Sequence, residues 1–366
     1  MHRSLGSRKG DQSGEVFRRL NRYYGILDGR LPARYRLAKR LAAEVDLSLP
    51  LDELWKTHGA LRSPFSGLLR KVDEGDASLD QMRVPRLSYL DLKVEIADRI
   101  VRSCHLCQRR CSADRSRGEH GSCRLGLDAN VSSAFLHMGE EPPLIPSGTV
   151  FFSSCTFRCV FCQNHDISTN PTAGTKASPR ELASIFSSLS RAGAANINLV
   201  GGEPTPNIPS ILKALVCLDV DIPILWNSNM YCSIESMELI LDLMDFWLPD
   251  LKYGNDQCAL RLSGIPDYFD VVSRNHKIAH DRGSGEMIIR HLVLPNHLEC
   301  CTMPTLEWIA ENCPRALVNV MQQYRPSHLV PGNPKYAEID RYPPREELRK
   351  AYDKADQLGI VWKPVS

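Results

Sequence analysis

The sequence predicts an α/β protein, a partial (β/α)6-type barrel with parallel strands, preceded by an N-terminal helical, cysteine-containing extension. Two observations support this fold class. From residue 148 onward, short apolar runs typical of strands alternate with helical stretches six or seven times, which is the pattern of parallel strands joined by right-handed crossovers. Before residue 148 the pattern is helical and basic, and it ends in clustered cysteines.

The chain divides into four predicted parts. These are a disordered basic tail at 1–14, a helical extension at 15–103, a four-cysteine metal-binding segment with its connector at 104–147, and the barrel at 148–366. In the extension we expect short amphipathic helices broken at Pro32, Pro50 and Pro64, because proline removes a helical hydrogen bond. Apolar residues that recur every four positions over 92–100 predict a further helix that runs into the first cysteine cluster.

The barrel elements follow in order. The predicted strands are 149–152, 197–200, 222–226, 246–248, 286–294 and 316–321, with 360–362 as a seventh candidate. The predicted helices are 179–189, 209–216, 235–243, 256–262, 268–279, 305–312 and 345–358. The proline-rich stretch 128–147 is expected to be an irregular connector. Because the chemistry of such barrels lies at the carboxyl ends of the strands, polar residues at those ends are the candidates for a site.

Composition and charge exclude several classes of protein. With 43% hydrophobic and 24% charged residues, the chain has the values of an ordinary globular protein. A formal net charge of +2 argues against a nucleic-acid partner, and no apolar run is long enough to predict a membrane span. The polar, basic start predicts no secretory signal, so we expect a cytoplasmic protein. The excess of basic residues over 1–40 fits a solvated surface, a docking surface for an acidic partner or a transit peptide.

A cysteine triplet follows the first strand of the barrel. The chain has thirteen cysteines, and an odd number in a reducing compartment favours metal binding over a disulfide framework. Cys155, Cys159 and Cys162 have the spacing C-x3-C-x2-C, and three thiolates on one loop suit an iron–sulfur cluster or zinc. On three sulfurs a cubane keeps one iron free for another ligand. From the residues alone, zinc with His165 or three unmetallated thiols remain alternatives.

This loop, with Phe161 just before its last cysteine, resembles the signature of the radical S-adenosylmethionine (radical SAM) superfamily. Gly201-Gly202-Glu203-Pro204, at the second strand end, is similar to the GGEP motif of that superfamily. Asp250-Leu251-Lys252, at the fourth, resembles the DxK element of the group related to pyruvate formate-lyase activating enzymes. Three further stretches resemble a branch of that group: 139–143, 162–164 and 289–295.

The resemblance implies a 4Fe–4S cluster on Cys155, Cys159 and Cys162, with S-adenosylmethionine chelated at the open iron. An electron from a donor such as a flavodoxin or ferredoxin would break the sulfonium bond and give a 5′-deoxyadenosyl radical, which abstracts hydrogen from a substrate. The likeness to activating enzymes implies an oxidoreductase that acts on a protein or peptide. An enzyme acting on a small molecule is the first alternative, and a non-catalytic metal-binding interaction protein is the second.

The resemblance also implies roles for residues near the triplet. Gly201 and Gly202 lack Cβ and would let the backbone approach the ligand closely. Glu203 would hold the ammonium of the methionyl part, and Phe161 would cover the adenine. From the residues alone, the glycine pair is also compatible with an ordinary turn.

Residues at the later strand ends would complete the ligand site. Asn227 or Asn229, together with Asp250, would accept hydrogen bonds from the ribose hydroxyls. Lys252 and Arg290 would meet the carboxylate. From the residues alone, Asp250 and Lys252 are also compatible with a strand-end ion pair.

A second cluster lies earlier in the chain, at Cys104, Cys107, Cys111 and Cys123. Four thiolates at this spacing can close a tetrahedral zinc site or hold a second iron–sulfur cluster, and unmetallated thiols remain an alternative. Arginines crowd this segment, but no aromatic residue stands beside them to stack on bases, so a nucleic-acid knuckle is not expected. The other six cysteines show no ligand spacing in sequence: Cys217, Cys232, Cys258, Cys300, Cys301 and Cys313.

Overall fold

The structure is a computed structural model that describes residues 11–366. Its strands are β1 (Ala129–His137), β2 (Ser147–Phe152), β3 (Thr175–Ala177), β4 (Asn196–Gly201), β5 (Ile224–Trp226), β6 (Phe246–Trp247), β7 (Ile288–Leu292) and β8 (Leu317–Met321). Its α-helices are α1 (Asp11–Arg19), α2 (Asn21–Leu27), α3 (Arg34–Ala38), α4 (Leu51–Asp73), α5 (Tyr89–Ile100), α6 (His165–Ser168), α7 (Pro179–Arg191), α8 (Ile208–Cys217), α9 (Ile234–Ile240), α10 (Asp256–Ser263), α11 (Tyr268–Arg282), α12 (Met303–Asn312) and α13 (Arg345–Gln357). None of these helices is both long and apolar enough to cross a bilayer.

The strands form a mostly parallel sheet in two parts. The first part has the order β3-β1-β2-β4-β5-β6, and the second pairs β7 with β8. Parallel bridges from Trp247 to Met287 and from Asp250 to Arg290 join β6 to β7. Strands β2, β4, β5, β6, β7 and β8 therefore run parallel in sequence order, with helices between them. This confirms the predicted α/β class and the partial barrel.

The N-terminal helices close the base of the barrel. The backbone amides of Arg22 and Tyr23 donate to the carboxylate of Glu286, just before β7, at 2.6 and 2.7 Å. The amide of Arg34 donates to Asp245, just before β6, at 2.8 Å. Tyr23 is also buried in an apolar cluster with residues that start β5 to β8. These contacts all lie at the amino ends of strands, opposite the ends that carry the cysteine triplet.

Several sequence-based element boundaries were wrong. The predicted connector 128–147 contains β1, because its prolines come only after the strand, and β1 pairs antiparallel with β2. Pro64 lies inside α4, where it and Ala60 are exposed, so water can satisfy the carbonyl that loses its partner. The stretch 360–362 forms no strand. Helix α1 begins at Asp11, within the predicted tail, and residues 1–10 lie outside the described chain.

Candidate functional site

The loop after β2 carries the cysteine triplet at the carboxyl ends of the strands. Ser154 has a left-handed backbone, with φ of 67°, and it turns the chain out of β2 directly before Cys155. Cys155 is buried, and Cys159 and Cys162 are partly buried. One polar side chain approaches each sulfur: Asn229 Nδ2 lies 3.7 Å from Cys155, Ser263 Oγ 3.0 Å from Cys159, and Ser168 Oγ 3.3 Å from Cys162.

Burial governs the protonation of these thiols. It raises the pKa of Cys155 well above that of an ordinary thiol, and the nearby Glu203 carboxylate adds to the effect. Burial likewise raises the pKa of Cys159 to about 11. A coordinating metal deprotonates a thiol outright, so these sulfurs become thiolates on binding a metal. The neighbouring hydrogen-bond donors are groups of the kind that stabilise thiolates around iron–sulfur clusters.

The three sulfurs of the triplet are not gathered as closely as the ligands of a single ion. Sulfur ligands of one tetrahedral zinc ion lie about 3.8 Å apart, since a Zn–S bond is about 2.3 Å long. In the part of the chain that the structure describes, one group alone brings three or more His, Cys, Asp or Glu ligand atoms within 4.8 Å of one another, and it contains none of these cysteines. The corners of a cubane stand farther apart than the ligands of a single ion.

The glycines after β4 pack directly on the backbone that leads into the cysteine loop. A Cβ at Gly201, whose φ is 116°, would lie 2.1 Å from the backbone nitrogen of Phe152. A Cβ at Gly202 would lie 1.8 Å from the carbonyl oxygen of Ser154. These positions therefore require glycine for an approach to the chain's own backbone. Their predicted approach to a ligand stays a prediction.

Glu203 is buried and ties the end of β4 to the end of β5. Its carboxylate accepts from the Ser228 hydroxyl at 2.6 Å and from the Asn229 amide at 3.0 Å. It also accepts from the backbone amide and the hydroxyl of Thr205. Burial raises its pKa. Its predicted contact with the ammonium of S-adenosylmethionine stays a prediction, because these four donors are all contributed by the chain itself.

A cavity of about 540 Å³ opens beside the cysteine loop, between β2 and β8. Asn227 lines it, and the buried Nδ2 of this side chain has no hydrogen-bond partner. A donor left unpaired in a cavity is what a ligand-binding position requires, since burying it without a partner costs free energy. Asn229 lies on the other side of the strand end, where its Nδ2 is 3.1 Å from Thr156 Oγ1.

The charged side chains at the later strand ends are paired. Asp250 and Lys252 form an ion pair with each other, which was the alternative interpretation from the sequence. Arg290 lines the cavity, and its Nε and Nη2 lie 2.8 and 2.7 Å from the two oxygens of Glu141. It also pairs with Glu140, in the loop between β1 and β2. The predicted contacts with ribose and carboxylate groups stay predictions.

Phe161 is buried against another aromatic residue of the chain, Tyr324. Its ring meets the edge of Tyr324 at a centroid distance of 5.8 Å. Only 5% of its surface is exposed, so it shields the cysteine loop from water. Its predicted contact with adenine stays a prediction.

The segment with Cys104, Cys107, Cys111 and Cys123 lies against the cysteine loop. Arg109 Nε donates to the Thr156 carbonyl at 2.8 Å, and the Ser154 hydroxyl donates to the carbonyl of Cys123. A further arginine of the segment, Arg115, donates to the Pro206 carbonyl after β4 at 2.9 Å. Two of the arginines that crowd the segment therefore bind backbone carbonyls of the barrel.

One cluster of potential metal ligands was not predicted from the sequence. Cys258, His297, Cys300 and Cys301 bring their ligand atoms within 4.8 Å of one another. Cys258 follows β6 and the other three follow β7, so no local spacing unites them. The run His297-x2-Cys300-Cys301 is the signal that the sequence offered. Cys217, the last residue of the apolar helix α8, is exposed.

Comparisons with known proteins identify the class. A family model described as the radical SAM superfamily matches residues 149–309, which include the cysteine triplet and the GGEP motif. The chain belongs to the radical SAM superfamily, and this membership indicates an enzyme and implies S-adenosylmethionine and a 4Fe–4S cluster. It is 41% identical over 348 residues to the uncharacterized protein MJ0674 of Methanocaldococcus jannaschii, covering 93% of this chain and 98% of that protein.

Solved structures with a similar fold are more distant. SuiB of Streptococcus suis, bound to the precursor peptide SuiA, is 16% identical with a TM-score of 0.43, over 57% of this chain and 45% of SuiB. A radical SAM methyltransferase from Sphaerobacter thermophilus is 12% identical with a TM-score of 0.45, over 86% of this chain and 93% of that one. The chain thus spans less than half the length of SuiB. At these values neither likeness carries a conclusion about activity.

Proposed function

We propose that the protein is a radical SAM enzyme whose 4Fe–4S cluster is held by Cys155, Cys159 and Cys162. The observation that supports this is the placement of three thiols on one loop at the carboxyl ends of parallel strands, each beside a polar side chain. With S-adenosylmethionine bound, a reduced cluster at these cysteines would supply the electron that cleaves the sulfonium bond, which releases methionine and leaves a 5′-deoxyadenosyl radical to abstract hydrogen from the substrate.

The chain's own residues prepare this chemistry. Asn229, Ser263 and Ser168 stabilise the thiolates by hydrogen bonds. Glu203 joins the ends of β4 and β5 by hydrogen bonds, and these strand ends support the loop that carries the cysteine triplet. The free Nδ2 of Asn227 donates to a ligand in the cavity and orients it. The roles predicted for the other strand-end residues are part of this proposal.

For the substrate we propose a small polar molecule. The cavity volume of about 540 Å³ lies in the range of small-molecule sites, roughly 300–1,000 Å³. Its polar lining includes Glu140, Asn227 and Arg290. The basic N-terminal helices pack on the base of the barrel, so they offer no docking surface at its mouth.

A protein or peptide substrate is the second candidate. It is supported by the DxK element, Asp250 to Lys252, which resembles that of activating enzymes. Either substrate needs an external one-electron donor such as a flavodoxin or ferredoxin, since the oxidised cluster must be reduced first.

For the segment 104–123 we propose a second iron–sulfur cluster. No three of its four sulfurs lie within 4.8 Å of one another, which is wider than one zinc ion requires. Its contacts with Thr156 and Ser154, in the loop of the triplet, support a position beside the proposed first cluster. We expect Cys159→Ala to keep the iron of the second cluster. Loss of this remaining iron in the double variant Cys159→Ala/Cys107→Ala would support the assignment.

Production of 5′-deoxyadenosine tests the proposed function. Anaerobically reconstituted wild type, reduced and supplied with S-adenosylmethionine, is expected to form it. Cys159→Ala is expected to lose this activity by at least about 100-fold together with one cluster of iron, because a cubane bound at two corners is released. Cys217→Ala is the matched control, since Cys217 is exposed and away from the loop, and it should behave as wild type.

Two results would contradict the proposal. One is iron-loaded, reduced wild type that forms no 5′-deoxyadenosine, which is the result expected of a non-catalytic metal-binding protein. The other is Cys159→Ala with unchanged iron and activity. Transfer of deuterium from a labelled candidate substrate into 5′-deoxyadenosine then distinguishes a small molecule from a peptide.

A further inference from the structure

Four ligand atoms from two loops converge at the carboxyl ends of β6 and β7. Cys258 lies in α10, and the other three residues lie between β7 and α12. The Sγ of Cys258 is 3.5 Å from Nδ1 of His297 and 3.8 Å from the Sγ of Cys300. The Sγ of Cys300 is in turn 3.3 Å from the same Nδ1 and 3.8 Å from the Sγ of Cys301.

These distances match four of the six edges of a tetrahedron around one ion, and the other two pairs of ligand atoms lie within 4.8 Å. Zn–S bonds of about 2.3 Å and Zn–N bonds of about 2.0–2.1 Å place ligand sulfurs about 3.8 Å apart and a sulfur and a nitrogen about 3.5 Å apart. The observed values are 3.8 Å for both sulfur pairs and 3.3 and 3.5 Å for the two sulfur–nitrogen pairs. A cubane would hold its sulfurs farther apart, so the cluster suits a single ion.

The local backbone brings the two adjacent cysteines together. Neighbouring residues of an α-helix point about 100° apart, but Leu298–Thr302 forms a π-helical turn before α12. Asn255 links this turn to α10, because its Oδ1 accepts from the amide of Cys258 at 2.8 Å while its Nδ2 donates to Cys301 Sγ at 3.7 Å. The Asn255 side chain therefore holds ligands from both loops in one place.

His297 is oriented as a metal ligand would be. It is buried, its Nδ1 faces the two sulfurs, and its Nε2 has no hydrogen-bond partner. The nearest carboxylate to Nε2 is Glu338, at 4.0 Å, and Glu338 is itself paired with Arg261 of α10. Metal-bound histidines commonly donate their second N–H to a carboxylate, and here Glu338 stands just beyond hydrogen-bond distance of Nε2.

We infer that Cys258, His297, Cys300 and Cys301 form a closed tetrahedral zinc site. Three thiolates and one imidazole leave no open position, which is the donor set of structural rather than catalytic zinc. The ion would cross-link α10 to the loop after β7. Helix α10 also contacts the triplet loop, because Ser263 Oγ lies 3.0 Å from Cys159 Sγ. This inference does not depend on the proposed function, since it concerns other cysteines and a different metal.

Zinc content and the coordination shell of zinc test the inference. Full-length protein expressed with zinc is expected to carry one equivalent that Cys258→Ala loses and Cys217→Ala keeps. X-ray absorption at the zinc edge should show three sulfurs at about 2.3 Å and one nitrogen at about 2.0–2.1 Å. Cys258→Ala could lose zinc simply because it unfolds, so His297→Cys is the second variant. It should retain zinc with a shell of four sulfurs.

Three results would overturn it. Equal zinc in wild type and in folded Cys258→Ala would show that the metal lies elsewhere. A four-sulfur shell in the wild type would assign the zinc to Cys104, Cys107, Cys111 and Cys123. Zinc-free wild type with a Cys258–Cys300 disulfide, found by mass spectrometry of alkylated peptides, would show that these thiols serve as a redox pair.

Discussion

At residue 202 the chain has no room for a side chain. The Cβ position is 1.8 Å from the carbonyl oxygen of Ser154, and the Gly202 amide donates to the Phe152 carbonyl at 2.7 Å. Because Ser154 directly precedes the first cysteine of the triplet, the smallest possible change at residue 202 moves the cluster loop. A close approach between two backbones therefore decides the position of the proposed cluster ligands.

We expect Gly202→Ala to lower both stability and iron binding at the triplet. Backbone must shift to relieve the contact, and overpacking of this kind costs about 1–3 kcal/mol. Thermal unfolding and iron content after reconstitution measure the two effects. Gly59→Ala is the control, since Gly59 lies in α4 with open space around its Cβ position and should gain about 0.5–1 kcal/mol. Iron binding equal to wild type in Gly202→Ala would contradict the prediction.

At the scale of elements, α2 packs into the base of the barrel. Its Tyr23 is fully buried, meets the edge of Phe246 at 5.3 Å, and accepts a hydrogen bond from Asn196 at 2.9 Å. The basic residues of α1 to α3 serve the same packing, because Arg19 donates to Ala316 and Lys39 donates to Leu218. Some of the basic side chains within residues 1–40 therefore donate hydrogen bonds to backbone carbonyls of the barrel.

We expect Tyr23→Ala to destabilise the protein by about 3–5 kcal/mol, because it leaves a large cavity among the strand starts. Tyr23→Phe should cost only about 1 kcal/mol, since it removes one hydrogen bond and keeps the packing. Chemical denaturation of the two variants measures the difference. A similar decrease in the free energy of unfolding of both variants would show that the hydroxyl, and not the ring, holds α2 against the barrel.

At the scale of the whole molecule, two buried carboxyl groups make stability depend on pH. Burial raises the pKa of Glu286 to about 7 and that of Asp245 to about 6. Both groups accept backbone amides of the N-terminal helices. Because the folded protein holds these protons more tightly than the unfolded chain does, their contribution to stability is present at low pH and is lost as the pH rises through about 6 to 7.

We expect Glu286→Gln to remove part of this dependence. The glutamine amide is neutral, but its Nε2 cannot accept a hydrogen bond, so the backbone amide of Arg22 or Tyr23 loses its partner and the variant should melt below wild type at about pH 5. Above about pH 7 the difference should narrow, since only wild type then carries a buried charge. Melting temperatures across this range measure the effect, and a constant difference between variant and wild type would refute it.

The barrel and the triplet could be predicted from the sequence because their signals are local. Alternating apolar runs gave β2, β4 and β8, and C-x3-C-x2-C lies within eight residues. β1, which lies between β3 and β2, escaped prediction because polar residues interrupt its apolar ones. The group around Cys258 escaped because only the neighbouring positions of β6 and β7 bring it to His297. The pairing of Arg290 with Glu141 likewise joins residues far apart in the sequence.

The contact between the four-cysteine segment and the triplet loop has a consequence for evolution. Arg109 and Arg115 satisfy carbonyls of the barrel at Thr156 and Pro206 that would otherwise face solvent or another partner. A descendant of this chain that deleted residues 104–123 would therefore lose more than four thiols. It would also remove the donors to these two carbonyls, so loss of the segment would alter the packing around the triplet loop as well as the number of thiols.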